Sequence, residues 1–86
     1  MTNSVLSLTN NRMQLELIAV IGRNAFLKRV NDSSYVVCNN IEIHNDFTCT
    51  WGFAYGYFEE YDDAYECFME KVVKRFAEYQ ENLAGV

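Results

Sequence analysis

Between Tyr35 and Phe58 apolar side chains recur at most odd positions, on both sides of the polar triplet His44-Asn45-Asp46. Alternation with a period of two is the mark of a strand, and a polar triplet between two such runs marks a hairpin turn. A turn at that triplet sets Ile43 opposite Phe47, Ile41 opposite Cys49 and Val37 opposite Phe53. Tyr35, Val37, Ile41, Ile43, Phe47, Cys49, Trp51, Phe53, Tyr55 and Tyr57 then share one face. Val36, Cys38, Asn40, Glu42, Thr48, Thr50, Gly52, Ala54 and Gly56 share the other. A slip by one residue would mix the two sets, so the pattern predicts this register. The odd face is the expected core, since cross-strand aromatic and β-branched pairs contribute roughly 0.2–1 kcal/mol each.

The flanking segments complete an α+β reading. Met13, Leu15, Leu17, Ala19 and Ile21 alternate as a strand would, although Ile18 and Val20 leave a helix open there. Gly22-Arg23-Asn24 reads as a turn, Ala25–Val30 as the returning strand, and residues 31–34 as the next turn. Residues 1–12 are polar and read as a mobile N-terminal arm, with a short strand at Ser4–Leu8. From about Tyr61 to Leu83 the period changes. Ala64, Phe68, Val72, Phe76, Tyr79 and Leu83 form a helical stripe, widened by Tyr65, Met69 and Val73. Asp62 or Asp63 is the expected cap, and Gly85 the stop. With 86 residues the chain is one domain. The prediction is an antiparallel meander of three or four strands, covered on one face by a single C-terminal helix. Trp51 and Phe68 should both be buried.

Charge narrows the partner. The formal net charge is −5. Cations gather only at Arg23, Lys28 and Arg29, and at Lys71, Lys74 and Arg75. This disfavours direct binding to nucleic acid or to an anionic membrane, and suits a basic protein partner. The first residues lack a charged, apolar leader, and no run reaches the roughly 18 apolar residues of a membrane helix. The odd number of cysteines, Cys38, Cys49 and Cys67, predicts reduced thiols and a cytoplasmic setting.

No cofactor, metal or catalytic centre is expected. Cys38, His44, Cys49 and Cys67 lack the tight C-x₂₋₄-C pairs of zinc sites, and the register above puts Cys38 and Cys49 on opposite faces. The same register makes the Cys49 and His44 side chains diverge, so they are a poor nucleophile–base pair. A Gly-rich phosphate loop and a Ser-centred elbow are both lacking.

Two surfaces stand out instead. One is the strand–helix junction, with Glu59, Glu60, Asp62, Asp63 and Glu66 around Tyr61. Asp62 and Asp63 suit a helix start, but Glu59 and Glu60 add more negative charge than a cap requires. Carboxylates among aromatic rings suit arginine, which forks onto the first and stacks on the second. The other surface is the sheet face away from the helix. Ile18, Val20, Phe26 and Val36 would gather there uncovered, and homodimerisation through them is the alternative reading.

The succession Tyr35-Val36-Val37-Cys38, Trp51-Gly52, Gly56-Tyr57-Phe58 and Asp62-Asp63-Ala64 at a helix start resembles the small acidic proteins of phages and mobile elements. Anti-CRISPR proteins are the functional class of this kind. The resemblance covers residues 35–72. It implies an inhibitor that occupies a surface of a Cas effector meant for DNA, and it transfers no particular residue.

Overall fold

A computed structural model describes residues 6–78. Strand β1 is Ser7–Asn10, β2 Met13–Ile21, β3 Asn24–Arg29, β4 Ser34–Asn39, β5 Glu42–Ile43, β6 Cys49–Thr50 and β7 Phe53–Phe58. Helix α1 spans Tyr61–Phe68, widens into a π-helical turn at Met69–Val73, and returns to α geometry over residues 74–78. Five strands form one antiparallel sheet in the order β1-β2-β3-β4-β7, and β5 pairs with β6 in a separate ribbon. The α+β class and the single covering helix are as the sequence predicts, with one strand more than the upper count. That strand is β1, which takes up part of the expected arm. It pairs Ser7 with Glu16 and Leu8 with Leu15. The expected strand Ser4–Leu8 begins outside the described residues, as do Tyr79, Leu83 and Gly85 at the other end.

Two hairpins have two-residue loops, Asn11-Arg12 and Gly22-Arg23. Each loop opens on a positive φ, 55° at Asn11 and 61° at Gly22. The favoured two-residue hairpin turns demand that conformation, and Asn and Gly tolerate it best.

The sheet carries a core on each face. On the helix side Phe26, Val37, Ala64, Phe68 and Val72 are buried, flanked by Ala19, Ile21, Tyr35, Tyr55, Phe58, Cys67 and Val73. On the opposite side Leu8, Leu15, Ala25, Leu27, Val36, Cys38, Ile41 and Cys49 are buried, flanked by Met13, Leu17, Trp51 and Ala54. The β5–β6 ribbon lies over this second face and reaches β1. Thr9 and Thr48 form a parallel bridge, the Thr9 amide donates to the Phe47 carbonyl at 2.9 Å, and Asn10 Nδ2 donates to the Cys49 carbonyl at 2.8 Å.

Two bulges explain how one sheet serves two cores. In β2 the pairing shifts between Leu17 and Ala19, so Ile18 is an extra residue. Met13, Leu15 and Leu17 therefore face the ribbon, while Ala19 and Ile21 face the helix. In β7 the pairing shifts where Val37 meets Gly56 and Cys38 meets Ala54, which leaves Tyr55 extra. A bulge leaves one residue unpaired and inverts the facing of all that follow.

The expected hairpin register is corrected accordingly. Ile43 lies opposite Cys49, Glu42 opposite Thr50, and Val37 opposite Gly56. The turn is two residues longer than expected, because Phe47 takes a left-handed φ of 64° and its amide closes onto the His44 carbonyl. The odd residues do not share one face. Tyr35, Val37 and Tyr55 pack under the helix, Ile41, Cys49 and Trp51 pack under the ribbon, and Ile43, Phe47, Phe53 and Tyr57 are exposed. Phe68 is buried as expected, but Trp51 is only half-buried.

Candidate functional site

The junction between β7 and α1 is built from the inside out. The Glu60 backbone is extended, with φ −108° and ψ 139°, and its carbonyl accepts the first helical bond from the Ala64 amide. No side chain caps this end, so the expected capping by Asp62 or Asp63 is corrected: both lie within the first turn. Their charge still meets the positive end of the helix dipole there. Ala64 and Phe68 point into the helix-side core, which turns Asp62, Asp63, Glu66 and Glu70 to the opposite, outward side.

Tyr61 anchors the junction to the sheet. Its ring packs 5.4 Å from Phe26 and 5.6 Å from Tyr35, edge-on to the latter. Tyr65, one turn on, stacks over Tyr61 at 6.0 Å with the planes 15° apart. The two tyrosines form a ladder that leaves the core at Phe26 and ends in solvent beside the outward acids. On the other flank, Phe58, Asp63, Glu66, Cys67, Glu70 and Lys71 line a shallow groove of about 390 Å³.

All six expected residues, Glu59, Glu60, Tyr61, Asp62, Asp63 and Glu66, lie exposed on this junction. Among the described residues the ion pairs are Arg23 with Glu42 and Arg29 with Asp32, so none of the junction acids has a cation partner. Tyr65 and Glu70 are additions. Glu70 follows Glu66 by four, a spacing the sequence displays, whereas the stacking of Tyr65 needs the anchored ring of Tyr61.

The expected self-association surface is not assembled. Phe26 is buried under the helix and Val36 under the ribbon, on opposite faces of the sheet. Only Ile18 and Val20 are exposed, at 39% and 47%. The β3–β4 register, which sets Phe26 opposite Val37 and not in line with Val36, the bulge at Ile18 and the cover of the ribbon together separate the four. The cysteine reading is corrected as well. Cys38 and Cys49 lie in the same core, where burial pushes the Cys38 thiol up to about 12 and the Cys49 thiol upward. Among the described residues no three His, Cys, Asp or Glu side chains converge as a metal site would require, and no helix is long and apolar enough to cross a membrane.

No protein-family model matches the chain, no curated protein matches it, and no solved structure matches it.

Proposed function

We propose that this chain is a non-enzymatic protein-binding inhibitor or adaptor that blocks a basic, nucleic-acid-handling protein, such as a CRISPR effector, in the host cytoplasm. One observation carries the reading. The acids of the β7–α1 junction are exposed, have no cation partner among the described residues, and surround a stacked tyrosine pair anchored to the core. Carboxylates that stabilise a fold usually find a cation or a cap within it; apart from the meeting of Asp62 and Asp63 with the helix dipole, these find neither among the described residues. An arginine from a partner can fork onto Glu60, Asp62 or Glu66 and lay its plane on Tyr61 or Tyr65. A surface that binds nucleic acid presents many such arginines, and acids set at intervals on a rigid helix compete with phosphates for them.

The test is double reversal of Glu59 and Glu60 to Lys, compared with wild type as immobilised bait for a bacterial lysate. Both positions precede the helix and are exposed, so the melting temperature should hold. Wild type should retain nucleic-acid-handling proteins, identified by mass spectrometry. Added DNA and rising salt should release them, since exposed charges are screened within about 10 Å at 0.1 M. The variant should bind the same protein more than about tenfold more weakly, roughly 1.4 kcal/mol. Equal retention and equal salt dependence in a folded variant would remove the acidic junction as the interface.

A further inference from the structure

We infer that the chain forms a twofold dimer by pairing the outer edge of β7 with the same edge of a second copy. β7 ends the five-stranded sheet, and among the described residues nothing pairs with its outer side. A bare edge offers a row of unpaired amides and carbonyls to another strand. Edges are ordinarily guarded by lysine, proline or a covering segment. Phe53-Ala54-Tyr55-Gly56-Tyr57-Phe58 contains no charge and no proline. At the opposite end of the sheet, β1 is covered by the ribbon through Thr9 and Thr48.

The occupant follows from the order of faces along the strand. Phe53 lies opposite Asn39 with its ring 5.1 Å from Tyr55, and Tyr55 and Phe58 pack on the helix side. Gly56 faces that side too, opposite Val37, with the Phe58 ring 2.6 Å from where a Cβ would stand. Ala54 packs on the ribbon side, and Tyr57, opposite Val36, meets Arg29 there. From Phe53 to Phe58 the facing therefore reads helix, ribbon, helix, helix, ribbon, helix. That order is the same from either end. A six-residue strand without a bulge alternates strictly and cannot read alike from both ends. The bulge that ordinarily turns an edge away here makes it self-complementary. A copy rotated half a turn about an axis between Tyr55 and Gly56 sets Phe53 opposite Phe58, Ala54 opposite Tyr57 and Tyr55 opposite Gly56, every pair on matching faces. The flanking acids meet no like charge in this arrangement, because Glu59 and Glu60 come opposite Gly52 and Trp51. A parallel pairing would set the acids of both copies side by side. Phe53 and Tyr57, 54% and 57% exposed, gain cover across the joint.

The dimer has a salt dependence opposite to that of the acidic junction. Each copy carries −5, so screening their mutual repulsion strengthens the dimer, while binding of a basic partner weakens. Either reading can thus fail without the other. Sedimentation and light scattering over a concentration series should show the mass rising from 10.0 kDa toward twice that value, more readily at high salt. The double variant Phe53→Lys, Tyr57→Lys should remain folded and stay at monomer mass. In wild type, hydrogen exchange should show the amides of Phe53–Phe58 more protected at high concentration than at low, which decides the matter even if the variant misfolds. A mass fixed at that of the monomer, a double-lysine variant that still dimerises, or edge amides that exchange alike at both concentrations each overturns the inference.

Discussion

Burial raises the Cys38 thiol from an ordinary 9.0 to about 12, because its thiolate would lie among Leu27, Val36 and Ile41 with little water. The thiolate is the reactive form, so Cys38 is inert to alkylation at pH 8 while the fold holds. Cys49 is raised by the same cause. Cys67 is raised too, chiefly by burial, but it lines the open groove beside Phe58 and Lys71. Brief treatment with iodoacetamide should therefore modify Cys67 first, with Cys38 and Cys49 following only as the protein unfolds, as peptide mass spectrometry would show. The sign of the pH dependence is fixed as well. A thiol with a raised value in the fold stabilises the folded state fully below its ordinary value. That contribution is lost as pH rises from about 9 toward 12, so the melting temperature should fall across this window. Parity does not relate Cys38 to Cys49, because the chain leaves the sheet after Asn39, turning at Asn40 with a left-handed φ of 59° before β5 begins. Their common core was not legible for that reason. Nor was the polar triad in which Asn39 Nδ2 donates to Asn24 Oδ1 and to the Tyr55 hydroxyl, since its members come from three strands.

At the scale of elements, what periodicity encodes was legible and what breaks periodicity was not. Ala64, Phe68 and Val72 repeat every four residues and are buried on one side of α1. Phe76 continues that count yet is exposed. Beyond Val73 every side chain through residue 78 is exposed, so this end of the helix has run past the sheet. The π turn itself, where the Lys74 amide donates to the Met69 carbonyl five residues back, inserts one residue into the stripe. Two phenylalanines at equivalent sequence positions thus differ in weight. Phe68→Ala removes a ring packed 5.6 Å from Phe26 and should cost about 3–5 kcal/mol. Phe76→Ala should change stability by less than about 0.5 kcal/mol. Urea unfolding of both variants measures the contrast, and equal losses would mean the stripe continues unbroken. The same lesson holds for Ile18 and Tyr55. Each is an apolar residue in an apolar strand, and nothing in its chemistry marks it as the one left unpaired.

For the molecule as a whole, the sequence placed the acidic junction correctly because charge and helix onset are local properties. The self-association face failed because it required the mutual position of β2, β3, β4 and the ribbon. Phe26 pairs with Val37 and so lies on the opposite face from Val36, the β2 bulge displaces Ile18, and the ribbon covers Val36. The ribbon itself was hidden inside what reads as one long hairpin. β4 and β7 pair with each other, while the chain between them leaves the sheet and lies across it. Its contacts with β1 bring Asn10 to Cys49, 39 residues along the chain. The hairpins β1-β2, β2-β3 and β3-β4 close over short loops, so they can form early at small entropic cost, whereas this contact closes a long loop. The strand made first is thus the last to be secured. A chain leaving the ribosome holds β1 with one bare edge until residue 49 has emerged, and the ribbon then seals it. Asn10→Ala removes a bond that forms after the rate-limiting step. In stopped-flow experiments it should speed unfolding roughly fivefold, for a hydrogen bond of about 1 kcal/mol, and leave the folding rate unchanged. Slowed folding instead would mean that β1 meets the ribbon before the strands between them are built.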